Sequence, residues 1–388
     1  MRIRFIGTAG PDGWPAPACA CASCATPPPG HRHPTAVLID DTVRLPPAAG
    51  DAAIGSVGGK GGTTAWREGE TARLPPGYRL ATTADGIALT TPDGSRLLYI
   101  PPSTTDGPSF QATTDAASAS PPDAESSSAE SSGDEQRGGS YEVVLLDLLG
   151  SPERLGVLRR RGVVDERTHV VAVGIDHRVR SAAELARRMA LWGARAVPDG
   201  AAIDSAEAPV PRERARRTLL LGGSRSGKSA EAELRLAAEP YVTYVATGPK
   251  GRGDGEWATR VDAHRRRRPA HWATVETTAL AETIELARTP LLVDGLGTWV
   301  AAMFDECDAW EDPANREAVA RRCEDLVAAW RRTPQRVVAV SDEVGLGVIP
   351  ATSGIRAYRD TLGSLNQRLA AESEDVTLVV AGRLLPLQ

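Results

Sequence analysis

The sequence predicts an α/β protein with two domains, and three observations support that prediction. In the second half, apolar runs alternate with helical patterns, which is typical of a mainly parallel sheet with flanking helices. A glycine-rich octapeptide lies between the first of these apolar runs and a helical pattern. The first half holds several short strand-like runs and one clear helical pattern, and 388 residues are enough for two separate cores.

The individual strands and helices follow from apolar runs and from apolar residues at helical spacing. In the first half, strands are predicted over 1–7, 36–40, 96–100, 141–146 and 169–173. A helix over 181–192 carries an apolar stripe at Leu185, Met189 and Trp192. In the second half, strands are predicted over 218–221, 241–246, 291–293, 336–340 and 376–381, and the clearest helices over 230–236 and 317–330.

The domain boundary is predicted in a polar, proline-containing stretch. This places one domain at 1–205, a linker at 206–216 and a second domain at 217–388. Residues 103–140 consist almost entirely of Ser, Asp, Glu, Ala, Pro and Gly, and such a segment cannot bury enough apolar area to offset its ordering entropy. Because it lies between two strand-like runs, we predict a disordered insertion inside the first domain.

The composition excludes several classes of partner. Acidic and basic residues nearly balance, 50 against 45, and the net charge of −5 indicates neither a nucleic-acid partner nor an anionic membrane. No apolar run approaches the roughly 20 residues needed to span a bilayer, and the N-terminus lacks a signal-peptide pattern. The five cysteines do not form a disulfide framework. We therefore expect a soluble cytoplasmic protein with no membrane segment.

The octapeptide has the spacing of a phosphate-binding loop. It follows an apolar strand, precedes a helix, and consists of Gly222, Gly223, Ser224, Arg225, Ser226, Gly227, Lys228 and Ser229. Glycines let backbone N–H groups curl around an anion, and the positive end of the helix dipole favours it. We expect Lys228 to contact the β- and γ-phosphates as a catalytic residue and the Ser229 hydroxyl to hold Mg²⁺. The domain is therefore predicted to bind a nucleoside triphosphate.

Asp294 ends the apolar run 291–293. Enzymes with a phosphate loop place a carboxylate at such a strand end, where it positions Mg²⁺. An aspartate that merely caps a strand is the alternative, but the upstream phosphate loop favours the magnesium role.

An arginine-rich stretch from Arg260 to Pro269 contains His264. On a helix, Arg260 and His264 would share a face. One interpretation is a solvated basic face with an incidental histidine, as charge runs usually are. The other is that the neutral imidazole attacks a phosphorus atom while the arginines neutralise its phosphates. The residue types alone leave both interpretations open.

Several motifs occur in the order seen in one family. Besides the phosphate loop they are Tyr-Val-Ala-Thr at 244–247, Arg-Val-Asp-Ala-His at 260–264, Trp-Ala-Thr-Val-Glu at 272–276, Ser-Asp-Glu-Val-Gly-Leu-Gly-Val-Ile-Pro at 341–350, Tyr-Arg-Asp at 358–360 and Leu-Asn-Gln at 365–367. Over residues 216–388 the sequence resembles the bifunctional adenosylcobinamide kinase/adenosylcobinamide-phosphate guanylyltransferases of cobalamin biosynthesis.

The resemblance implies two successive transfers. ATP or GTP phosphorylates the side-chain hydroxyl of adenosylcobinamide; GTP then guanylylates a histidine, whose GMP passes to the phosphorylated corrinoid. The resemblance implies that His264 is this catalytic histidine and that the protein forms a homo-oligomer, plausibly a trimer. It also implies nucleotide contacts from Ala246, Thr247, Gly248, Arg265, Arg268, Glu276 and Asp294. One departure is Asp342, which stands where the family usually has Asn and adds a charge beside the nucleotide.

Residues 1–200 resemble metallo-β-lactamase-fold proteins of the phosphodiesterase type, through the stretches 7–10 and 12–15 and the cysteine cluster that follows. This resemblance implies an αββα domain. Its metal-binding run His-X-His-X-Asp-His is missing from the sequence, so we expect a degenerate hydrolase centre. Cys19, Cys21 and Cys24 have a spacing that can hold structural Zn²⁺ if a fourth ligand arrives from elsewhere, and reduced, metal-free cysteines are the alternative.

Other functions remain open at this level. The second domain could be a kinase or GTPase for another class of substrate. The first domain could instead carry the main chemistry as a metal-dependent phosphodiesterase, or serve as an interaction module without chemistry of its own.

Overall fold

The structure is a computed structural model, and it describes residues 1–46, 74–102, 139–209, 214–248 and 268–387. The chain divides into two compact units, Met1–Pro211 and Arg212–Gln388. Most of the predicted disordered insertion, residues 103–138, lies outside the described residues. Among the helices that the structure describes, none is both long and apolar enough to cross a membrane.

The first unit contains two sheets. Its strands are β1 (Arg2–Gly7), β2 (Ala36–Ile39), β3 (Val43–Leu45), β4 (Arg79–Thr82), β5 (Ile87–Thr90), β6 (Arg96–Ile100), β7 (Val143–Leu146), β8 (His169–Ala172) and β9 (Ala202–Asp204). An antiparallel sheet has the order β3-β2-β1-β9. A mixed sheet has the order β4-β5-β6-β7-β8, and its last three strands run parallel.

The two sheets of the first unit share one core. Along β1 every second residue is buried, as expected for a strand with one covered face. Ile3 and Phe5 on that face belong to the same hydrophobic cluster as Leu97 of β6 and Leu145 of β7. The unit therefore buries one face of each sheet in a common interior, and its resemblance to metallo-β-lactamase folds stays a prediction.

Two helices complete the described part of the first unit, α1 (Glu153–Arg160) and α2 (Ala182–Trp192). The α2 helix buries Leu185, Met189 and Trp192, which confirms the predicted stripe. Its start is set by Ser181, whose side chain accepts a hydrogen bond from the backbone N–H of Glu184. Its end is set by Gly193, which adopts a left-handed conformation with φ of 61°.

The second unit is built on a seven-stranded sheet. Its strands are β10 (Arg217–Gly222), β11 (Thr243–Ala246), β12 (Ala273–Glu276), β13 (Leu291–Asp294), β14 (Val337–Asp342), β15 (Asp375–Val380) and β16 (Arg383–Pro386). The order is β12-β11-β13-β14-β10-β15-β16, and β16 is the antiparallel member. The predicted α/β class with a mainly parallel sheet is confirmed.

Helices cover both faces of this sheet. They are α3 (Lys228–Leu236), α4 (Leu280–Glu285), α5 (Leu296–Glu306), α6 (Arg316–Arg332) and α7 (Ser353–Ala371). Leu219 and Leu221 of β10 pack in one cluster with residues of α4 to α7, whereas Leu220 packs in a second cluster with residues of α3. Because neighbouring residues of a strand point to opposite faces, one apolar run serves both layers, as a parallel sheet requires.

Candidate functional site

The glycine-rich octapeptide connects β10 to α3. Gly222 ends the strand, Lys228 begins the helix, and Gly227 before it has a φ of 100°. This left-handed conformation costs glycine little and strains other residues. At Gly222 a Cβ atom would lie 2.5 Å from the carbonyl oxygen of Val379 and 2.6 Å from Ser226 Oγ, so the strand end has no room for a side chain. The sequence thus folds locally as a tight turn onto a helix N-terminus, the geometry of a phosphate-binding loop.

Lys228 lies at the start of α3 and its side chain is largely buried. Its Nζ is 2.8 Å from Asp342 Oδ1, and it donates a hydrogen bond to the carbonyl oxygen of Gly223 at 3.0 Å. Asp342 ends β14, the strand that pairs with β10 in such a register that Asp342 is opposite Gly222. The lysine predicted to contact phosphates is therefore held, in this structure, by the negative charge at the end of the adjacent strand.

Ser229 and Asp294 form a second polar pair beside the first. The Ser229 hydroxyl donates to Asp294 Oδ1 at 3.1 Å, and Asp294 ends β13 on the far side of β14. The other carboxylate oxygen, Oδ2, accepts a hydrogen bond from the Tyr244 hydroxyl at 2.6 Å. Hydroxyl and carboxylate oxygens are ligands that Mg²⁺ prefers, so the residues predicted to bind Mg²⁺ fit that role by chemistry and by proximity.

Tyr244 connects this pair to Arg268. The Arg268 guanidinium carbon lies 3.2 Å from the centroid of the Tyr244 ring, a cation–π arrangement. Burial and the nearby charge of Asp294 raise the pKa of the Tyr244 phenol, so it keeps its proton and donates to the carboxylate. Tyr244 belongs to the motif at 244–247, and its residue type alone predicted no role.

The remaining predicted nucleotide contacts line the same edge of the sheet. The strand register places Ala246 next to both Asp294 and Glu276. Thr247 is fully buried; its hydroxyl donates to the carbonyl oxygen of Gly295 at 2.7 Å and lies 2.8 Å from Thr298 Oγ1. Thr247 therefore ties the end of β11 to the start of α5, and Gly248 follows it directly.

His264 and Arg265 lie outside the described residues, as do the rest of 249–267. The predicted helical face shared by Arg260 and His264 lies in the same range. Arg268, the first described residue after it, reaches Tyr244 and thus the pair formed by Ser229 and Asp294.

The environment of Asp342 supplies residues that sequence reasoning left without a role. The side-chain amide of Asn366 donates to the backbone carbonyl of Asp342 at 3.1 Å, and the Ser341 hydroxyl donates to Asn366 Oδ1 at 2.6 Å. Tyr358 donates to the carbonyl oxygen of Gly297 at 3.2 Å, and burial together with the charge of Asp342 raises its pKa to about 12. Both Asn366 and Tyr358 belong to motifs that the resemblance had singled out.

Comparison with known proteins identifies the family of this second unit. The family model described as cobinamide kinase / cobinamide phosphate guanyltransferase matches residues 218–387. The bifunctional adenosylcobalamin biosynthesis protein CobP of Pseudomonas aeruginosa is 43% identical over 178 residues, which cover 97% of that protein and 44% of this chain. The chain belongs to this family of transferases.

Two further relatives carry the name bifunctional adenosylcobalamin biosynthesis protein CobU. The one from Escherichia coli is 38% identical and the one from Salmonella typhimurium 36% identical, each over 174 residues that cover 95% of the relative and 42% of this chain. Among solved structures, an ATPase of a type III secretion system is similar with a TM-score of 0.30 and 14% identity, covering 42% of this chain and 50% of that one.

The three cysteines of the first unit meet a histidine. One ligand atom from each of Cys19, Cys21, Cys24 and His177 lies within 4.8 Å of the others. Ser23 donates a hydrogen bond to the carbonyl oxygen of Val179, which fastens the cysteine loop to the loop of the histidine. Burial raises the pKa of the Cys24 thiol to about 11, whereas a hydrogen bond from the backbone of Cys24 lowers that of Cys21. Sequence reasoning left the fourth ligand unassigned because His177 is far away along the chain.

One arginine of the first unit binds two carboxylates, that of Asp147 directly after β7 and that of Asp176 in the loop after β8. Arg178 Nη1 and Nη2 donate to the two oxygens of Asp147 at 2.9 and 3.1 Å. Its Nε donates to Asp176 Oδ1 at 2.8 Å, and Nη2 also donates to the carbonyl oxygen of Gly174 at 2.9 Å. The permanently charged guanidinium of Arg178 therefore balances the charge of both carboxylates and supplies hydrogen bonds to them.

Proposed function

We propose that residues 217–388 phosphorylate adenosylcobinamide with ATP or GTP and then transfer GMP from GTP to the product. The observation that carries the proposal is the phosphate loop with Lys228 and Ser229 facing two strand-end carboxylates, Asp342 and Asp294. The relatives, whose names describe bifunctional adenosylcobalamin biosynthesis proteins, supply the substrate class.

In the kinase reaction, Lys228 would exchange Asp342 for the β- and γ-phosphates of the nucleotide. Ser229 and Asp294 would hold Mg²⁺, which when bound neutralises charge on the phosphates. The substrate hydroxyl oxygen attacks the γ-phosphorus, the bond to the β-phosphate oxygen breaks, and the hydroxyl proton leaves to solvent or to a nearby base. The loop supplies backbone N–H groups and the lysine charge where negative charge is concentrated.

In the nucleotidyl transfer, His264 is the proposed nucleophile. Its neutral ring nitrogen attacks the α-phosphorus of GTP, an N–P bond forms, and pyrophosphate leaves. A phosphate oxygen of the phosphorylated corrinoid then attacks the same phosphorus, and cleavage of the N–P bond returns the histidine. Arg265 and Arg268 are proposed to neutralise the phosphates during both steps.

Covalent labelling tests this function. Wild-type protein incubated with GTP labelled at the α-phosphate should acquire an acid-labile, alkali-stable label that His264→Ala abolishes. His271→Ala is the matched control, since His271 hydrogen-bonds the carbonyl oxygen of Glu239 and should leave the label intact. Absence of label in a folded, GTP-binding wild type would contradict the guanylyltransferase and leave only a kinase or a nucleotide-binding protein without transferase activity.

We further propose that the first unit holds one structural Zn²⁺ on Cys19, Cys21, Cys24 and His177. A tetrahedral zinc site with Zn–S bonds of ~2.3 Å separates its sulfur atoms by ~3.8 Å, so donors gathered within 4.8 Å need a small closure to bind the ion. Such an ion would fix the loop after β1 to the loop after β8.

Elemental analysis tests the zinc proposal. Purified protein should contain one zinc per chain, and His177→Ala should lose it while His33→Ala, an exposed histidine paired with Asp199, should retain it. Cys21→Ser should also lose the zinc, and Cys307→Ser, the matched control in the second unit, should retain it. Zinc-free wild type whose melting temperature does not change when zinc is added would contradict the proposal.

We propose a homo-oligomer, and from the family resemblance a trimer. Light scattering on the protein as it elutes from a size-exclusion column would measure the mass of the assembly. The mass of a single chain at micromolar concentration would contradict the proposed oligomer.

A further inference from the structure

The carboxylate of Asp294 is held from two sides. Its Oδ1 accepts from the Ser229 hydroxyl at 3.1 Å and its Oδ2 from the Tyr244 hydroxyl at 2.6 Å. Rotation about the last side-chain bond of an aspartate is broad, so one contact alone leaves the two oxygens free to exchange places. With Tyr244 donating to Oδ2, the other oxygen stays directed at Ser229. The phenol therefore favours Oδ1 as the carboxylate oxygen that is offered to a cation at Ser229.

The ring of Tyr244 has a second, separate contact. It packs against the Arg268 guanidinium, 3.2 Å from ring centroid to guanidinium carbon, and only 3% of Tyr244 is exposed. Arg268 Nε is buried and has no hydrogen-bond partner among the described residues, so the ring face is a contact of this cation that does not depend on Nε. Along the sequence Arg268 follows His264 by four residues.

We infer that Tyr244 is a positioning residue for both halves of the proposed function, through two chemically separable contacts. Its hydroxyl orients Asp294 toward Ser229 and thereby tunes the binding of Mg²⁺ with the nucleotide. Its aromatic ring seats Arg268 for the guanylyl transfer. This inference rests on the proposed function for its second part; the first part concerns magnesium-dependent nucleotide binding and can be measured without catalysis.

Two substitutions separate the contacts. Tyr244→Phe keeps the ring and removes the hydroxyl, and Tyr244→Leu removes both. Tyr241→Phe is the matched control, because Tyr241 is 48% exposed and lies before β11. Arg268→Met removes the cation and leaves the phenol in place. Thermal melting of each variant identifies any that fails to fold.

The first readout is the Mg²⁺ concentration that gives half-maximal binding of a fluorescent GTP analogue. For Tyr244→Phe we expect it to rise roughly tenfold, the effect of removing one hydrogen bond to a charged group. Tyr241→Phe should match the wild type. A Tyr244→Phe variant with wild-type magnesium dependence would overturn the role of the hydroxyl.

The second readout is the yield of GMP label at saturating Mg²⁺. Tyr244→Phe should label like the wild type, whereas Tyr244→Leu and Arg268→Met should both lose most of the label. Equal losses for Tyr244→Phe and Tyr244→Leu would show a merely structural residue and overturn the inference. If the wild type itself takes no label, the proposed guanylyltransferase fails and with it the role of the ring, while the magnesium readout still decides the role of the hydroxyl.

Discussion

Both units place carboxylates at, or a few residues after, the carboxyl ends of parallel strands, and these carboxylates have different partners. In the second unit, Asp294 and Asp342 end neighbouring strands and contact a hydroxyl and a lysine of the phosphate loop. In the first unit, Asp147 follows β7 and Asp176 follows β8, and the guanidinium of Arg178 binds both.

The difference teaches that the partner of such a carboxylate decides whether a ligand can replace that contact. A lysine ammonium and a serine hydroxyl are compact groups that can exchange a carboxylate for a phosphate or a cation. A guanidinium bonded to both oxygens of one carboxylate and to a second carboxylate has little to offer a ligand. The carboxylate contacts in the second unit can be replaced by contacts with a ligand, whereas the cluster around Arg178 in the first unit stabilises the fold.

The starts of two helices, α2 and α3, show a similar contrast. In the first unit, the Ser181 side chain caps α2. In the second unit, α3 begins at the phosphate loop and no described side chain caps it. The uncapped N–H groups are those that a phosphate would take.

The largest expected effect comes from removing the ammonium group of Lys228, which would exchange Asp342 for the phosphates of the nucleotide. Lys228→Met should lower kcat/KM of the kinase reaction roughly 10²- to 10³-fold, because a preorganised charge is lost where phosphate charge develops. Steady-state kinetics with ATP and with GTP measure this effect. Kinetics close to wild type would mean that Lys228 serves Asp342 alone and that the second unit resembles the first.

Removing the guanidinium of Arg178 should lower the stability of the first unit and leave the kinase reaction unchanged. Arg178→Met leaves Asp147 and Asp176 close together without their partner and should lower the free energy of unfolding of the first unit by about 2 kcal/mol, less than for a fully buried pair because Arg178 is 34% exposed. Denaturant titration measures the change. Kinase activity should be unaffected, and a loss of activity with unchanged stability would contradict the structural role.

Asp342→Asn should strengthen nucleotide binding, a smaller effect than the loss expected for Lys228→Met and in the opposite direction. The substitution removes a charge that competes for Lys228 and repels phosphates, so nucleotide should bind roughly 3- to 10-fold more tightly. It also introduces the residue that the resemblance implies at this position. Calorimetric titration with ATP and GTP is the measurement, and weaker binding would indicate that Asp342 contacts Mg²⁺ or the substrate.

The smallest effect is expected at the capped helix. Ser181→Ala should destabilise the first unit by about 1 kcal/mol, the usual value of an N-terminal cap. The melting temperature of the second unit should instead rise when nucleotide is added, since the ligand supplies the cap of α3. A nucleotide-dependent change in the melting of the first unit would erase the contrast between the two helices.

Much of the second unit could be predicted from local sequence. The apolar runs at 218–221 and 291–293 fall within β10 and β13, and the run at 336–340 begins one residue before β14 and overlaps it. Buried parallel strands are recognisable because both of their faces are apolar. The edge strands β12 and β16 were not predicted, since exposed residues dominate β12 and β16 and leave no apolar signal. The predicted roles of His264 and of the nucleotide contacts stay predictions.

By itself the sequence determined the phosphate loop, the buried strands of the sheet and the family of the second unit, because those properties depend on neighbouring residues and on motifs in order. Only the tertiary structure decided the partners: Asp342 for Lys228, Tyr244 for Asp294, Arg178 for two carboxylates and His177 for the cysteines. The pairs of Lys228 with Asp342 and of Tyr244 with Asp294 join residues that are far apart in the chain. Their contacts exist because parallel strands bring their carboxyl ends to one edge of the sheet, and no local pattern in the sequence encodes which of those ends will meet.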